Sequence, residues 1–412
     1  MSRKQLNLGI FGFGCVGQGL YEALRQSPGN SATVRKICVR DPKKSRPLPA
    51  EHFTFDREEL LSDPEIDVIV ELIDDAEAAW EIVSTALKRG KAVVTANKKL
   101  LAERFEELLA LQVAYGTPLL YEGAACASIP VIRNLEEYYD NDLLQGIEGI
   151  FNGSTNYILG RVENGLSYAE ALAEAQEKGF AETDPRLDVG GYDPRYKLAI
   201  LIAHAFGSWV DPAQILRSGI ENIAWPEQKL AREKNWRLKL VARARRVGMQ
   251  LYATVLPQFV TPDNPLYRVD VENNGVLLEG AFSQVQFFQG KGAGSLPTGS
   301  AVLSDISALS YDYRYEYRKR RHRDSELQPA DFTIQIYLRY HDPAIVPLLR
   351  FQSINESYRA HDYAFVTGRV QLSDLQLFLA RPEAAEAFVA ELPDSTIEPV
   401  GARNANRVLE PV

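Results

Sequence analysis

LNLGIFGFGCVGQGLYEAL, residues 6–24, decides the architecture. An apolar run from Leu6 to Phe11 leads into Gly12, Gly14 and Gly17 and then into a helical pattern, so the segment reads as strand, glycine turn and helix. The first glycine permits the tight turn, the second lets backbone approach a pyrophosphate, and the third lets helix and strand pack closely. Cys15 and Val16 fall in the same turn, where a helix N-terminus offers free N–H groups to an anion. Gly12, Gly14, Cys15, Val16 and Gly17 are therefore candidate cofactor-binding residues of a Rossmann-type dinucleotide-binding domain. A glycine-rich turn in a ligand-free α/β domain is the competing reading.

Outward from this turn, VRKICVRD (34–41) is the expected second strand, ending in Val39-Arg40-Asp41. Arg40, followed by Lys43 and Lys44, can accept a 2′-phosphate and favours NADP, while Asp41 keeps NAD open. A solvated basic turn explains the two lysines equally well. IDVIVELI (66–73) reads as a buried parallel strand, followed by a helix over 76–89. In KAVVTANKKLLAERF (91–105) a strand at Lys91 to Thr95 puts Thr95, Asn97 and Lys98 at the sheet's carboxyl edge, where ligands lie in doubly wound folds. TPLLYEGA supplies a further strand ending at Glu122.

The 412 residues carry a net charge of −9, with ordinary apolar and charged fractions, which implies two or three globular domains and argues against nucleic acid as the partner. No uncharged apolar stretch of about eighteen residues occurs and no signal-peptide pattern opens the chain, so a cytoplasmic enzyme without membrane contact is expected. Cys15, Cys38 and Cys126 are odd in number and widely spaced, and are expected to be reduced, buried and inert.

The richest chemistry lies between Phe151 and Leu201, in FNGSTNYIL and GFAETDPRLDVGGYDPRYKLAIL. Asn152, Glu182, Asp184, Asp188, Asp193 and Lys197 cluster around glycines, which suits binding a zwitterion and moving a proton on it. Among the histidines only His204 lies close, seven residues after Lys197 on the apolar helix, and it reads as a core residue. Lysine is the better proton carrier, since its surroundings can bring its pKa toward neutrality. Asp193, four residues before Lys197, shares its face if both are helical; alternatively it is an N-cap ahead of Pro194. Glu182 and Asp188 are candidate anions for an ammonium, Gly153 and Ser154 candidate donors for a carboxylate, and Asp184 a turn residue. Simple turn chemistry is the alternative for each.

Together GFGCVGQG, VVTANKKLLA, YEGAACASIPVIRNL, GIFNGSTNYIL, GFAETDPRLDVGGYDPRYKLAIL and GKGAGSLPTGSAVLSDI resemble homoserine dehydrogenase, in the family's order. The resemblance implies NAD(P)-dependent interconversion of L-homoserine and L-aspartate 4-semialdehyde on the route to threonine, methionine and isoleucine. It implies that Lys197, with Lys98 and Asp193, handles the hydroxyl, and that Glu122, Ala125 and Ala127 can hold a monovalent cation such as sodium by backbone carbonyls. Asp74-Asp75 stands where the family more often has Gly-Gly. Cys126 could suggest an acylating nucleophile, but no histidine lies near it in sequence, and a packed thiol is the simpler reading.

The expected organisation is a dinucleotide-binding domain at 1–130, completed by a helix returning at about 297–310, and a substrate-binding and dimerisation domain with a mixed sheet at 131–296. A basic, exposed linker at 311–328 and a degenerate, ACT-like α+β module at 329–412, with a helix over Leu372 to Leu392 and a frayed end, complete it. A homodimer or higher homo-oligomer is expected. Another Rossmann oxidoreductase of a small hydroxy or amino acid, or a cofactor-binding regulatory protein without turnover, are the alternatives.

Overall fold

The computed structural model describes residues 4–27, 29, 32–140, 144–321, 327–361, 363–393 and 397–400. Its first sheet consists of strands Leu6–Phe11 (β1), Ala32–Cys38 (β2), Phe53–Thr54 (β3), Val68–Glu71 (β4), Ala92–Thr95 (β5) and Leu119–Leu120 (β6). They are all parallel, in the order β3-β2-β1-β4-β5-β6. Helices cover both faces, which is why β1 and β4 are apolar without alternation and almost wholly buried. The order reverses between β1 and β4, and in doubly wound sheets ligands lie at the carboxyl ends of the strands at this point.

The helix Ser295–Leu309 returns to this sheet and packs against the helix Cys15–Gln26. Two glycines make the approach possible. A Cβ on Gly19 would lie 1.9 Å from the Ser295 carbonyl oxygen, and one on Gly299 would lie 2.5 Å from the backbone of Gly19. The Ser295 hydroxyl closes the same joint by donating to the Cys15 carbonyl at 2.8 Å.

In the second sheet the strands run Gln284–Lys291, Asn273–Gly280, Leu144–Ile150, Arg237–Val247 and Gln250–Val260, joined in antiparallel fashion. The helices Gly153–Glu163 and Tyr192–Phe206 pack on it, with the acidic segment between them and Asp193 on the second. Another face presents charge pairs, Arg243 to Glu148 at 2.7 Å and Arg245 to Glu279 at 2.8 Å.

The C-terminal strands continue this sheet, through the pair Gln258–Glu391, in the order Phe388–Glu391, Phe332–Tyr340, Ala364–Gln371, Phe351–Arg359. Arg243 reinforces the junction with an ion pair to Glu391 at 3.0 Å. The helix expected over Leu372 to Leu392 stops at Leu379, because Pro382 starts a separate 3-10 turn and Phe388–Glu391 is a strand. Between the first two strands of the module only a 3-10 segment, Pro343–Leu348, forms.

Residues 311–321 correct the expectation of an exposed linker. Tyr315 and Tyr317 are buried, and Tyr317 shares a 2.8 Å hydrogen bond with the Tyr121 hydroxyl. Of the alternating tyrosines in YDYRYEY, Tyr315 and Tyr317 turn inward, Tyr313 is half-buried and Tyr311 is exposed, while Arg318 and Arg320 pair with Asp140 and Glu106 outside. Of the rest of that basic stretch, 322–326, with His322 and Arg323, lies outside the described residues, as does 401–412.

Replacing Gly19 by alanine puts a methyl where the Ser295 backbone stands. The expected loss is about 1–3 kcal/mol, typical of overpacking, read as a lowered Tm in thermal unfolding; an unchanged Tm would show that the two helices separate freely.

Candidate active site

The glycine turn has the shape that backbone contact with a pyrophosphate needs. Gly12 has φ +94°, donates its N–H to the Cys38 carbonyl at 3.0 Å, and lies so close to β4 that a Cβ would be 2.5 Å from the Leu72 carbonyl oxygen. A Cβ on Gly17 would come within 2.6 Å of the Gly12 carbonyl oxygen, whereas around Gly14 nothing lies within 4 Å. The helix begins at Cys15 without a side-chain cap, so the first-turn N–H groups of Cys15, Val16 and Gly17 are available to an anion. These residues fit a dinucleotide phosphate.

Cys15 is exposed at this turn, against the expectation of three buried thiols; Cys38 is half-buried and Cys126 fully so. Burial, outweighing the nearby Lys197, pushes the Cys126 thiol up to about 12, so it is inert as a nucleophile at neutral pH. Arg40 is exposed on a loop that Arg46 organises by donating to the carbonyls of Lys44 and Asp41 at 2.8 and 2.7 Å. Asp75 turns away from the crevice to cap the helix Ala76–Lys88, accepting from the N–H groups of Glu77 and Ala78 at 3.0 Å each, and Asp74 is exposed.

Asn97 caps the helix Lys98–Tyr115 by accepting from Leu100 N–H at 2.9 Å, so Lys98 starts that helix at the carboxyl edge of β5. Its Nζ reaches across to Asp193 Oδ1 at 2.8 Å. Lys197 Nζ lies 2.9 Å from Asp193 Oδ2 and donates to the Phe151 carbonyl at 2.7 Å. Asp193 is therefore bracketed by two ammonium groups from different parts of the chain. It is not an N-cap: the helix Tyr192–Phe206 begins before it, capped by Gly191 in the left-handed region. Burial alone would raise its carboxyl, but Lys197 and then Lys98 outweigh that and hold it well below the usual range. Asp193 in turn is the main cause of the raised pKa of Lys98. Asp188 moves upward, through burial first and the Asp193 charge second.

Asn152 organises this cluster, although its position before a helix signals only a cap. Its Oδ1 accepts from Thr155 N–H at 2.8 Å while its Nδ2 donates to Asp188 at 2.7 Å and Asp193 at 2.9 Å. Gly153 and Ser154 occupy the first turn of that helix, whose N–H groups point out of it. The Ser154 hydroxyl is already committed to the Phe180 carbonyl at 2.5 Å, and a Cβ on Gly153 would meet the Glu272 carbonyl oxygen at 2.4 Å. Glu182 is exposed, with its charge reaching Lys98, and Asp184 is a turn residue paired with Arg186. His204 is buried between the Tyr121 hydroxyl and Glu136, at 2.9 and 2.6 Å, as a satisfied core histidine.

The Glu122 carboxylate accepts from the N–H groups of Ile132 and Arg133 at 2.8 and 2.9 Å. Asp305 accepts from Glu122 N–H at 2.8 Å, yet its other oxygen and Arg133 Nε are buried without a hydrogen-bond partner. Ala127, with φ 47°, bends the loop above. Two buried carboxylates thus face one guanidinium beneath a loop of backbone carbonyls. Among the described residues no group of three His, Cys, Asp or Glu side chains forms a metal site, so carbonyl oxygens are the donors this loop can offer.

Against known proteins, residues 12–122 match the model of the homoserine dehydrogenase NAD-binding domain, and residues 130–307 match that of homoserine dehydrogenase. The chain belongs to the homoserine dehydrogenase family. It is 37% identical over 313 residues to the homoserine dehydrogenase of Lactococcus lactis, covering 73% of each chain, and 33% identical over 353 residues to that of Bacillus subtilis, covering 82% of each. A homoserine dehydrogenase from Thiobacillus denitrificans superposes with TM-score 0.83 at 28% identity, over 95% of this chain and 100% of that one. A hyperthermophilic archaeal homoserine dehydrogenase in complex with NADPH matches with TM-score 0.65 at 26% identity, over 75% and 99%. The chain is accordingly an NAD(P)-dependent oxidoreductase that interconverts homoserine and aspartate 4-semialdehyde, and the expected Rossmann-type domain and mixed-sheet domain are both present.

Asn152→Ala removes both the cap and the amide that holds two carboxylates. A cap loss of about 1 kcal/mol should lower the Tm modestly, while kcat/KM for homoserine should fall by about tenfold or more because the acids lose their alignment. Retention of full kcat/KM would remove Asn152 from the site.

Proposed function

We propose that the bracket Lys98–Asp193–Lys197 is the proton-handling centre for the homoserine hydroxyl. The observation that carries this reading is that both lysines contact one buried carboxylate, at 2.8 and 2.9 Å, at the carboxyl edge of the sheet whose glycine turn fits a dinucleotide. Bound NAD(P) supplies the hydride acceptor or donor. In the oxidative direction the side chains do the rest: Lys197, after giving the proton of its ammonium form to solvent, takes the hydroxyl proton as the carbon–oxygen double bond forms, while Lys98, held protonated by Asp193, polarises the oxygen beside it. In the reductive direction the same ammonium returns the proton. Asp193 keeps the two cations together without itself titrating near neutrality.

The α-ammonium of homoserine is assigned to Asp188 with Glu182 at the rim, and its carboxylate to the backbone N–H groups of Gly153 and Ser154. The Ser154 hydroxyl, engaged by Phe180, is left out of that assignment. Thr95, Asn97 and Lys98 face the nicotinamide side, the glycine turn takes the pyrophosphate, and Arg40 is placed to meet a 2′-phosphate. A monovalent cation such as sodium is assigned to the carbonyls of Glu122, Ala125 and Ala127.

Two copies are proposed to associate through the mixed sheet. Phe282 is 82% exposed and Val285 and Phe287 stand out on the same hairpin, an apolar edge that a partner would cover. The C-terminal strands, in the order fourth-first-third-second, fit a degenerate ACT-like module that aids assembly. No helix among the described residues is long and apolar enough to cross a membrane, and a cytoplasmic location is proposed.

Purified protein should reduce NAD or NADP in a homoserine-dependent manner at alkaline pH, seen as the near-ultraviolet absorbance of the reduced nicotinamide. Lys197→Ala should lower kcat by about 10²–10⁴-fold while leaving the Kd for cofactor unchanged; near-normal turnover would remove Lys197 from proton transfer. Replacing sodium and potassium by tetramethylammonium should lower activity if the carbonyl loop holds a cation, and indifference to the cation would exclude that assignment.

A further inference from the structure

We infer that Glu71 is a positioning residue for the reaction, tying the loops at the carboxyl edge of the first sheet into one unit that fixes Lys98. Glu71 ends β4 and is fully buried, and among the described residues no lysine or arginine is paired to it. Its Oε2 accepts from the Thr95 hydroxyl at 2.5 Å and its Oε1 from the Ile73 N–H at 2.7 Å. Thr95 Oγ1 accepts from Asn97 N–H at 3.0 Å, and the Asn97 amide donates to the Ile73 carbonyl at 3.1 Å. The circuit Glu71–Thr95–Asn97–Ile73 closes on itself.

Each member touches something the reaction needs. Asn97 caps the helix that begins with Lys98, so its orientation sets where that lysine starts. Leu72, between Glu71 and Ile73, places its carbonyl oxygen against Gly12, the tight point of the glycine turn. One carboxyl group therefore links the pyrophosphate turn, the loop after β4 and the Lys98 turn. A buried carboxyl without a cationic partner is costly, and an apolar side chain would fill the end of β4 with less penalty. An ionised carboxylate offers one oxygen to the Thr95 hydroxyl and the other to the Ile73 N–H. Burial pushes this carboxyl up to about 7, against the pull of those two donors.

The inference rests on the proposed role of Lys98, and its test separates the two. In Glu71→Gln the amide can receive one of the two donors but opposes the other with its own N–H. The variant should fold with a near-normal Tm, lose about tenfold in kcat and raise the KM for NAD(P) several-fold, with the KM for homoserine less affected. Thr95→Val breaks the same circuit from the other side and should give a similar loss, with Thr95→Ser restoring most of it. The double variant Glu71→Gln, Thr95→Val should be no worse than the poorer single variant, because both remove one interaction. Glu71→Gln with kcat and both KM values within about twofold of the unaltered enzyme, or losses that multiply in the double variant, would overturn the inference. If Glu71→Gln does not fold, the Thr95→Val and Thr95→Ser pair decides it by the same criteria. If Lys98→Ala itself retains normal turnover while these variants do not, the role given to Lys98 fails and that of Glu71 at the cofactor edge stands.

Discussion

A single buried carboxylate, Asp193, joins the two parts of the candidate site. It comes from the mixed-sheet part of the chain, and its partners are Lys197 on its own helix and Lys98 from the edge of the first sheet. Two positive groups on one buried acid leave the cluster positive, and Asp188, joined to Asp193 through the Asn152 amide, brings it toward neutrality. Removing one partner of the buried Asp193–Lys197 pair typically costs about 3–5 kcal/mol, since the remaining charge is left uncompensated, whereas Lys98, 41% exposed, is screened by solvent and contributes less. The bracket therefore registers the two halves of the site and prepares the lysines in one structure.

The rest of the fold delivers the two lysines to that carboxylate. Parallel strands buried on both faces place the glycine turn and Lys98 at the same edge, and the returning helix Ser295–Leu309 locks the first helix through the Gly19–Gly299 approach. The far end of the Lys197 helix is tied down by a different device: His204, between Tyr121 and Glu136, and Lys319, which donates to the His204 carbonyl at 2.8 Å. Residues 311–321 thus brace the helix that carries the catalytic cluster. The strap lies between that cluster and the C-terminal strands in sequence, and its tyrosines are packed too tightly for it to act as a loose tether.

Much of this was legible in the sequence, for reasons that differ by element. The glycine turn and the parallel strands are local patterns, and so were readable from spacing and continuous hydrophobicity. Asp193 and Lys197 share a face because they are four residues apart on a helix, yet spacing left an N-cap equally open; only Gly191, in the left-handed region, moves the helix start ahead of Asp193. Asn152 belonged to the cluster named from the sequence, but its bonds to two of the acids were not legible because those partners lie 36 and 41 residues downstream. Glu71 sat within an apolar run that reads simply as a buried strand, and its Thr95 partner comes from the neighbouring parallel strand. The 311–321 segment was misread because charge dominates its composition, whereas tyrosine alternation decides its burial.

The most direct test of the account is a crystal structure with NAD(P) and homoserine bound. The account predicts the substrate hydroxyl within about 3.2 Å of the Lys197 Nζ, next to Lys98, with Asp193 still contacting both amines and the reacting carbon facing the nicotinamide. A hydroxyl directed away from both lysines, or a closed cleft in which Lys98 has left Asp193, would contradict it.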